Sequence, residues 1–221
     1  MKKKLGFNDL FVDVIDKGLC TSCGTCVGVC ASKVIVMDYK NQEAEPILID
    51  KCIECSMCYN VCPGKDIPLK DMDEKFLGQS RDFIDDEIGI YKGCYKGWAK
   101  DEHIQGSSSS GGMVSSLLIY ALENDIIDGA LLVGWDSDNP YRGKPIIAKT
   151  PEDVMNACRW TAESVPVNEM IYQAVMKEKL ERIAVVGIPF QIHGIRKLQM
   201  AYKNSKFSKA IKFSIGLFCA S

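Results

Sequence analysis

The chain has 221 residues, 47% hydrophobic and 25% charged, and its 27 basic and 29 acidic side chains give a formal charge of -2. That balance gives no case for a nucleic-acid or anionic-membrane partner, and the length suits one small and one larger domain. No stretch approaches the roughly 20 apolar residues of a membrane span, and no apolar run follows Met1-Lys2-Lys3-Lys4 to make a secretory signal.

Residues 1–18 read as a short lead-in, with Asp9, Asp13 and Asp16 soon after the basic start. Residues 19–68 are a pseudo-repeat. Cys20, Cys23, Cys26 and Cys30 read C-x2-C-x2-C-x3-C; Cys52, Cys55, Cys58 and Cys62 read the same, with Pro63 where the first run has Ala31. This is the signature of a protein holding two [4Fe–4S] clusters. Zinc is the alternative, because paired C-x2-C units also build zinc ribbons. A zinc site, however, usually separates its ligand pairs by a longer loop and has no use for the third cysteine. Eleven cysteines so arranged point to a cytoplasmic, oxygen-sensitive protein rather than a disulfide scaffold.

In two-cluster ferredoxins the fourth cysteine of each run crosses to the other cube. That expectation assigns cluster A to Cys20, Cys23, Cys26 and Cys62, and cluster B to Cys52, Cys55, Cys58 and Cys30. Gly24 and Gly28 are read as leaving room for backbone amides to approach the sulfides. The second run has Ser56 and Asn60 instead, so the cubes are expected to differ in potential. Val34 to Met37 and Ile47 to Ile49 read as a small hairpin across a polar turn at Asn41.

Residues 69–89 read as a linker with one helix. Its acids, among them Asp71, Asp73, Glu74, Asp82, Asp85, Asp86 and Glu87, fit a solvated face or an acidic docking surface. The larger domain spans 90–221. Ser107, Ser108, Ser109, Ser110, Gly111 and Gly112 precede a helical pattern at Val114, Leu117, Leu118, Ala121 and Leu122. Glycines, hydroxyls and a helix N-terminus together make a phosphate cradle, with a flexible linker as the alternative. No lysine follows Gly112, so it is not a Walker motif.

Strands are expected at Ala130 to Val133 and Ile146 to Ala148, with turn-like sequence from Pro140 to Pro145. Thr150 should cap a helix starting at Pro151. A helix over Glu169 to Leu180, a strand over Ile183 to Val186, a helix through Ile192, Ile195 and Leu198, and a strand over Ile211 to Leu217 complete an α/β pattern. Leu217-Phe218-Cys219-Ala220-Ser221 reads as an apolar strand end, and the chain as one that stops short. Cys94, Cys158 and Cys219 read as buried thiols or, with a histidine, as a further metal site. His103 and His193 read as structural.

Gly111-Gly112, Leu117-Leu118, Asp128-Gly129-Ala130, Thr150-Pro151-Glu152-Asp153, Pro166-Val167-Asn168, Val186 to Lys197 and Ile215 to Cys219 together resemble the coenzyme F420 hydrogenase/dehydrogenase beta-subunit family, over roughly 90–221. The resemblance implies a fold of two parts: an α+β ferredoxin-like two-cluster domain, then an α/β flavin-binding domain incomplete at its C-terminus. It implies a flavoprotein with FAD or FMN, and coenzyme F420 as the redox substrate. It also implies a partner oxidoreductase such as a hydrogenase or dehydrogenase.

The family places flavin phosphates at Ser107 to Gly112, with Gly187, Pro189, Gln191 and Arg196 nearby. Hydride would pass directly between deazaflavin and flavin, so no catalytic side chain is expected. Members commonly carry cysteine where this chain has Phe190, so a further cluster is expected to be absent or held otherwise; Cys219 matches the family's second cysteine. The alternatives are a flavin-dependent reductase of another substrate and a non-catalytic ferredoxin-type module.

Overall fold

Apolar side chains at 7, 10 and 14 share one helical face, and that face buries against the cysteine loops. The computed structural model describes residues 4–39, 44–81, 89–136, 139, 142–158 and 164–218. The turn at Asn41, the acids Asp82, Asp85, Asp86 and Glu87, Pro140, and Cys219 to Ser221 lie outside the described residues.

The segment read as a lead-in folds as α1 (Phe7–Leu10) and a π-helical turn over Phe11–Ile15. Phe7, Leu10, Val14 and Ile15 join one core with Val27, Ile35, Met37, Cys26 and Cys58. It is therefore part of the ferredoxin-like unit, a correction that the 7, 10, 14 spacing could have supplied. Helices α2 (Thr25–Gly28) and α3 (Met57–Val61) follow the two cysteine loops. Between them β1 (Ile35–Asp38) pairs antiparallel with β2 (Glu45–Leu48), the hairpin expected from sequence. The charge-rich stretch contains α4 (Leu69–Leu77), where Asp73 is buried and bound by the Arg81 guanidinium.

The remainder is an α/β layer. Helices α5 (Glu102–Ser107) and α6 (Met113–Glu123) lead into β3 (Gly129–Trp135) and β4 (Gly143–Ala148). Helix α7 (Pro151–Asn156) starts at the Thr150 cap, whose Oγ1 accepts from Asp153 N at 3.1 Å. The helix expected over 169–180 begins earlier, as a 3-10 turn (Val167–Met170), and widens to a π turn (Gln173–Lys177). Then come β5 (Ile183–Gly187), α8 (Pro189–Ala201), α9 (Lys206–Ala210) and β6 (Ile211–Gly216).

The sheet order is β4-β3-β5-β6, with β4 antiparallel to β3 and the rest parallel. Side chains alternate across it with period two. Ala130, Leu132, Ala184 and Val186 pack under α6 and α7 with Leu118, Ala121 and Val154. Leu131, Ile183 and Val185 face the other way, toward Ile195 and Leu198 of α8 and Ile171. Val29 and Val61 from the ends of the cysteine helices share this second core. The cysteine unit and the sheet unit are thus joined by a continuous apolar interior.

Gly24 and Gly28 also serve a close backbone contact elsewhere in the molecule. A Cβ on Gly28 would stand 1.9 Å from the Asn168 carbonyl, and one on Gly24 2.7 Å from both Glu169 N and Pro166 O. Both glycines let α2 touch the 166–169 backbone. The corresponding second-run residues meet other neighbours: Ser56 pairs with Leu5 through two hydrogen bonds, and Asn60 Nδ2 donates to Tyr202 Oη at 2.8 Å.

Gly28→Ala should lower stability by about 1–3 kcal/mol through overpacking. Gly106→Ala, in α5 with open space around its Cβ position, should raise it by up to about 1 kcal/mol through helix propensity. Chemical denaturation midpoints of the two variants check both signs.

Candidate iron–sulfur centres

Each cysteine loop is coiled by left-handed residues on both sides of its second cysteine. In the first run Ser22 has φ 49 and Gly24 φ 77; in the second Glu54 has φ 51 and Ser56 φ 63. Left-handed geometry costs a non-glycine residue of order 1 kcal/mol, so its recurrence at three of these four positions marks loops held to one shape by their surroundings. The third cysteine of each run then enters α2 or α3.

Cys20, Cys23, Cys26 and Cys62 line one pocket, with Leu10, Val14, Ile15, Gly24, Met37 and Pro46 around them. Its atom-free space is about 360 Å³, partly open to solvent. Cys62, from the second run, thus lines the same pocket as the three cysteines of the first. Burial pushes the Cys62 thiol up to about 11, with Cys23 and Cys20 adding to it and the amides of Lys65 and Gly64 opposing. Burial also raises the Cys26 thiol, helped by Cys23, Cys62 and Cys20. Cys58 rises to about 12 through burial, then the charges of Cys52 and Cys55, with Cys30 also contributing.

One group with a member from the opposite run lines the pocket, and across the runs Cys58 also raises the Cys26 thiol while Cys30 raises that of Cys58. Thiols so crowded become thiolates readily only around a cationic centre. Among the described residues no three His, Cys, Asp or Glu side chains converge closely enough for a single ion; a cube holds its thiolates further apart than one ion does. Amides and hydroxyls already face the sulfurs. Glu54 N donates to Cys52 Sγ at 3.4 Å, and Thr25 Oγ1 lies 3.3 Å from Cys23 Sγ. The donor set and the pocket fit the group that the sequence implies.

Helix α8 is the wall against which both loops rest. Lys197 is 5% exposed, and its ammonium donates to Cys62 O at 2.7 Å, to Asp66 O at 2.8 Å and to the Asp66 carboxylate. Although burial raises the Asp66 carboxyl, the Lys197 hydrogen bond and charge win and lower it. Asn168, fully buried, donates from Nδ2 to Thr25 Oγ1 at 2.8 Å and to Gln191 O at 2.9 Å. At the hairpin end Tyr39 Oη donates to Glu169 Oε1 at 2.7 Å; burial lifts that carboxyl, and the Tyr39 bond and nearby Lys33 offset it only in part. Lys197, Asn168 and Thr25 stand in the sequence without a role. Lys197 stands one position before the core residue Leu198, a place that by itself reads as exposed, so no local signal marks it.

Ser107 to Gly112 runs from the end of α5 to the start of α6. Gly111 and Gly112 have φ of 75 and 76, and a Cβ on Gly112 would meet Ile104 Cγ2 at 2.9 Å. Ser108 Oγ is buried with no partner among the described residues, while Ser109 and Ser110 are exposed. The Cys158 thiol, half-buried rather than buried, donates to Ser107 O at 3.0 Å. Cys94 is exposed, not buried as expected. His193 Nδ1 is buried and His103 exposed.

Gly187, Pro189 and Gln191 form the turn from β5 into α8. Pro189 is the first residue of that helix, and Gln191 Oε1 accepts from Ile188 N at 2.9 Å. A Cβ on Gly187 would lie 2.5 Å from that same Oε1. Arg196 stacks 4.3 Å above the Phe76 ring and donates to Gln199 Oε1. Each of these four residues thus has a structural explanation in addition to any ligand.

The architecture is that of a two-cluster iron–sulfur protein: a ferredoxin-like unit fused to an α/β unit with a mixed sheet. Residues 12–63 match the 4Fe-4S dicluster domain model. Residues 94–171 match the model described as coenzyme F420 hydrogenase/dehydrogenase, beta subunit N-term, and 180–221 the model of its C terminus. The chain belongs to the coenzyme F420 hydrogenase/dehydrogenase beta-subunit family.

Among its relatives, a coenzyme F420-dependent sulfite reductase of Methanocaldococcus jannaschii is 30% identical over 94% of this chain and 31% of its own length. A coenzyme F420 hydrogenase subunit beta of Methanosarcina barkeri is 31% identical over 61% of this chain and 46% of its own. A structure of the F420-reducing [NiFe] hydrogenase complex from Methanosarcina barkeri superposes with a TM-score of 0.52 at 29% identity, over 55% of this chain and 42% of the matched one. The chain therefore spans less than half the length of these relatives. Among the described residues no helix is long and apolar enough to cross a membrane.

Lys197→Met should cost about 2 kcal/mol, because Cys62 O and the Asp66 groups lose a shared buried donor. Denaturant unfolding checks the loss.

Proposed function

We propose that this chain moves electrons between coenzyme F420 and a partner oxidoreductase, through a flavin and two [4Fe–4S] clusters, in a reducing cytoplasm. The observation that carries the reading is the gathering of Cys20, Cys23, Cys26 and Cys62 from two runs around one pocket. Cys52, Cys55, Cys58 and Cys30 make the second set, supported by the mutual influence of their thiols. Bound clusters supply one-electron transfer, and a flavin connects that to the two-electron hydride of F420.

The chain's own part is to bind, bury and bias these groups. Loop Ser107 to Gly112 is the seat we assign to the flavin phosphates. It opens the eleven-residue α6, whose first turn presents unpaired amides and the positive end of the helix dipole. Helix α6 packs on the sheet and leads through a short turn into β3, so a helix antiparallel to that strand would set this loop toward the carboxyl ends of parallel β3 and β5, where open α/β sheets bind ligands. The Gly187–Pro189 turn leaves β5 at that same end. Trp98 and Met113, both exposed, flank the loop with apolar surface suited to a flat ring. No protein general base is assigned, since ring-to-ring hydride transfer needs none.

Two measurements on anaerobically prepared chain test this. If Cys62 crosses, Cys62→Ala and Cys20→Ala should leave the same residual cluster spectrum and about four irons of eight. A Cys62→Ala spectrum matching that of Cys52→Ala overturns the crossing. Bound flavin should accompany the clusters, and reduced F420 should reduce a viologen dye in its presence. Two clusters with no flavin and no F420-dependent dye reduction would replace the proposal with a ferredoxin-type electron-transfer module.

A further inference from the structure

Building on the cluster assignment above, we propose that Thr25 is a positioning residue that sets the reduction potential of cluster A, by donating its hydroxyl proton to the Cys23 thiolate. The hydroxyl is oriented from the other side of the molecule. A threonine hydroxyl has one proton and two lone pairs. Asn168 Nδ2 donates into one lone pair at 2.8 Å, so the proton must be spent elsewhere, and Cys23 Sγ stands 3.3 Å away. The orientation of the Asn168 amide is itself fixed, because its other contact is the Gln191 carbonyl at 2.9 Å, which only the nitrogen can satisfy.

The surroundings are built for this bond. Thr25 and Asn168 are fully buried and Gln191 is 3% exposed, so no bulk water competes. Helix α8 closes over the hydroxyl: a Cβ on Gly194 would lie 2.2 Å from Thr25 Oγ1. The pseudo-repeat supplies an internal comparison. Thr25 precedes the third cysteine of the first run, and the matching position before Cys58 is Met57, which has no proton to give. Cluster A thus has a buried donor that cluster B lacks at the equivalent place.

A hydrogen bond to a ligand sulfur favours the more negative, reduced form of a cluster and raises its potential. The relay also gives the β5–α8 turn a polar route to cluster A, through Gln191, Asn168 and Thr25. The donor therefore sits on the side of the cluster that faces the α/β unit.

An anaerobic dithionite titration of the full chain, followed by EPR, tests the inference. Cluster A is identified as the signal lost in Cys62→Ala. Thr25→Val should weaken one-electron reduction of cluster A by three- to tenfold, the tenfold limit being about 59 mV. Cluster B should be unmoved, and Thr25→Ser should restore the wild-type value. Should Thr25→Val fail to hold its clusters, Thr25→Ala, which sets no methyl against Gly194, carries the same expectation. Unchanged cluster A potential in the hydroxyl-free variant, or an equal shift in Thr25→Ser, overturns the inference. Wild-type protein without two cluster signals instead overturns the cluster assignment, and is read before any variant is made.

Discussion

The structure depends on how closely α8 and the 166–169 segment approach the backbone of the cysteine loops. Helix α8 has two buried faces. Ile195 and Leu198 point to the sheet, as helical periodicity expects. Gln191, Gly194 and Lys197, spaced by three, point to the cysteine unit and are polar or small. Gly194 admits Thr25, Gln191 receives Asn168, and Lys197 reaches the Cys62 carbonyl. Gly28 lets the Asn168 carbonyl approach from the other side. Contacts this close fix the register of the two units against each other, because protein interiors give little room to shift.

Polarity at this seam is costly unless it is matched. Lys197 is a nearly buried cation, and three acceptors from Cys62 and Asp66 meet its three protons. Asn168 uses both amide protons, and its Oδ1 is left unpartnered among the described residues. Buried networks specify a single arrangement when they are satisfied. Here the arrangement specified is the placement of the cluster ligands: the carbonyl of Cys62, the one cysteine that joins the first group from the second run, is held directly by α8.

What sequence reveals here tracks the range of the interaction. Ligand spacing is local, so both cysteine runs, the hairpin, the Thr150 cap and the helix after Gly112 are readable. The helical face at 7, 10 and 14 is equally local, though only the packing of Phe7, Leu10 and Val14 on the cysteine loops shows what it covers. Gly24 and Gly28 carry a steric requirement of another kind. Their requirement comes from Pro166, Asn168 and Glu169, some 140 residues away, and nothing near them in the chain reports it. The same holds for Lys197, whose position beside Leu198 looks like an exposed one until the second unit covers it. For the Ser107–Gly112 loop the sequence marks a helix start after two glycines, and both glycines take the left-handed backbone there.

The repeat began symmetric, and its neighbours break the symmetry. Gly24 and Ser56 share a left-handed backbone, yet one faces a backbone carbonyl and the other pairs with Leu5. Cys23, Cys26 and Cys58 are buried, while Cys55 is exposed. Exposure and sulfur hydrogen bonds are two of the quantities that set a cluster's potential. The cysteine loops share spacing and left-handed backbone turns but few side chains, so a difference between their sites comes from loop residues such as Thr25 against Met57 as well as from what packs on them. The first set meets the 166–169 backbone and α8; part of the second set meets solvent at Cys55. Two loops of one spacing, with different side chains and different neighbours, give two unequal settings for the same ligand pattern.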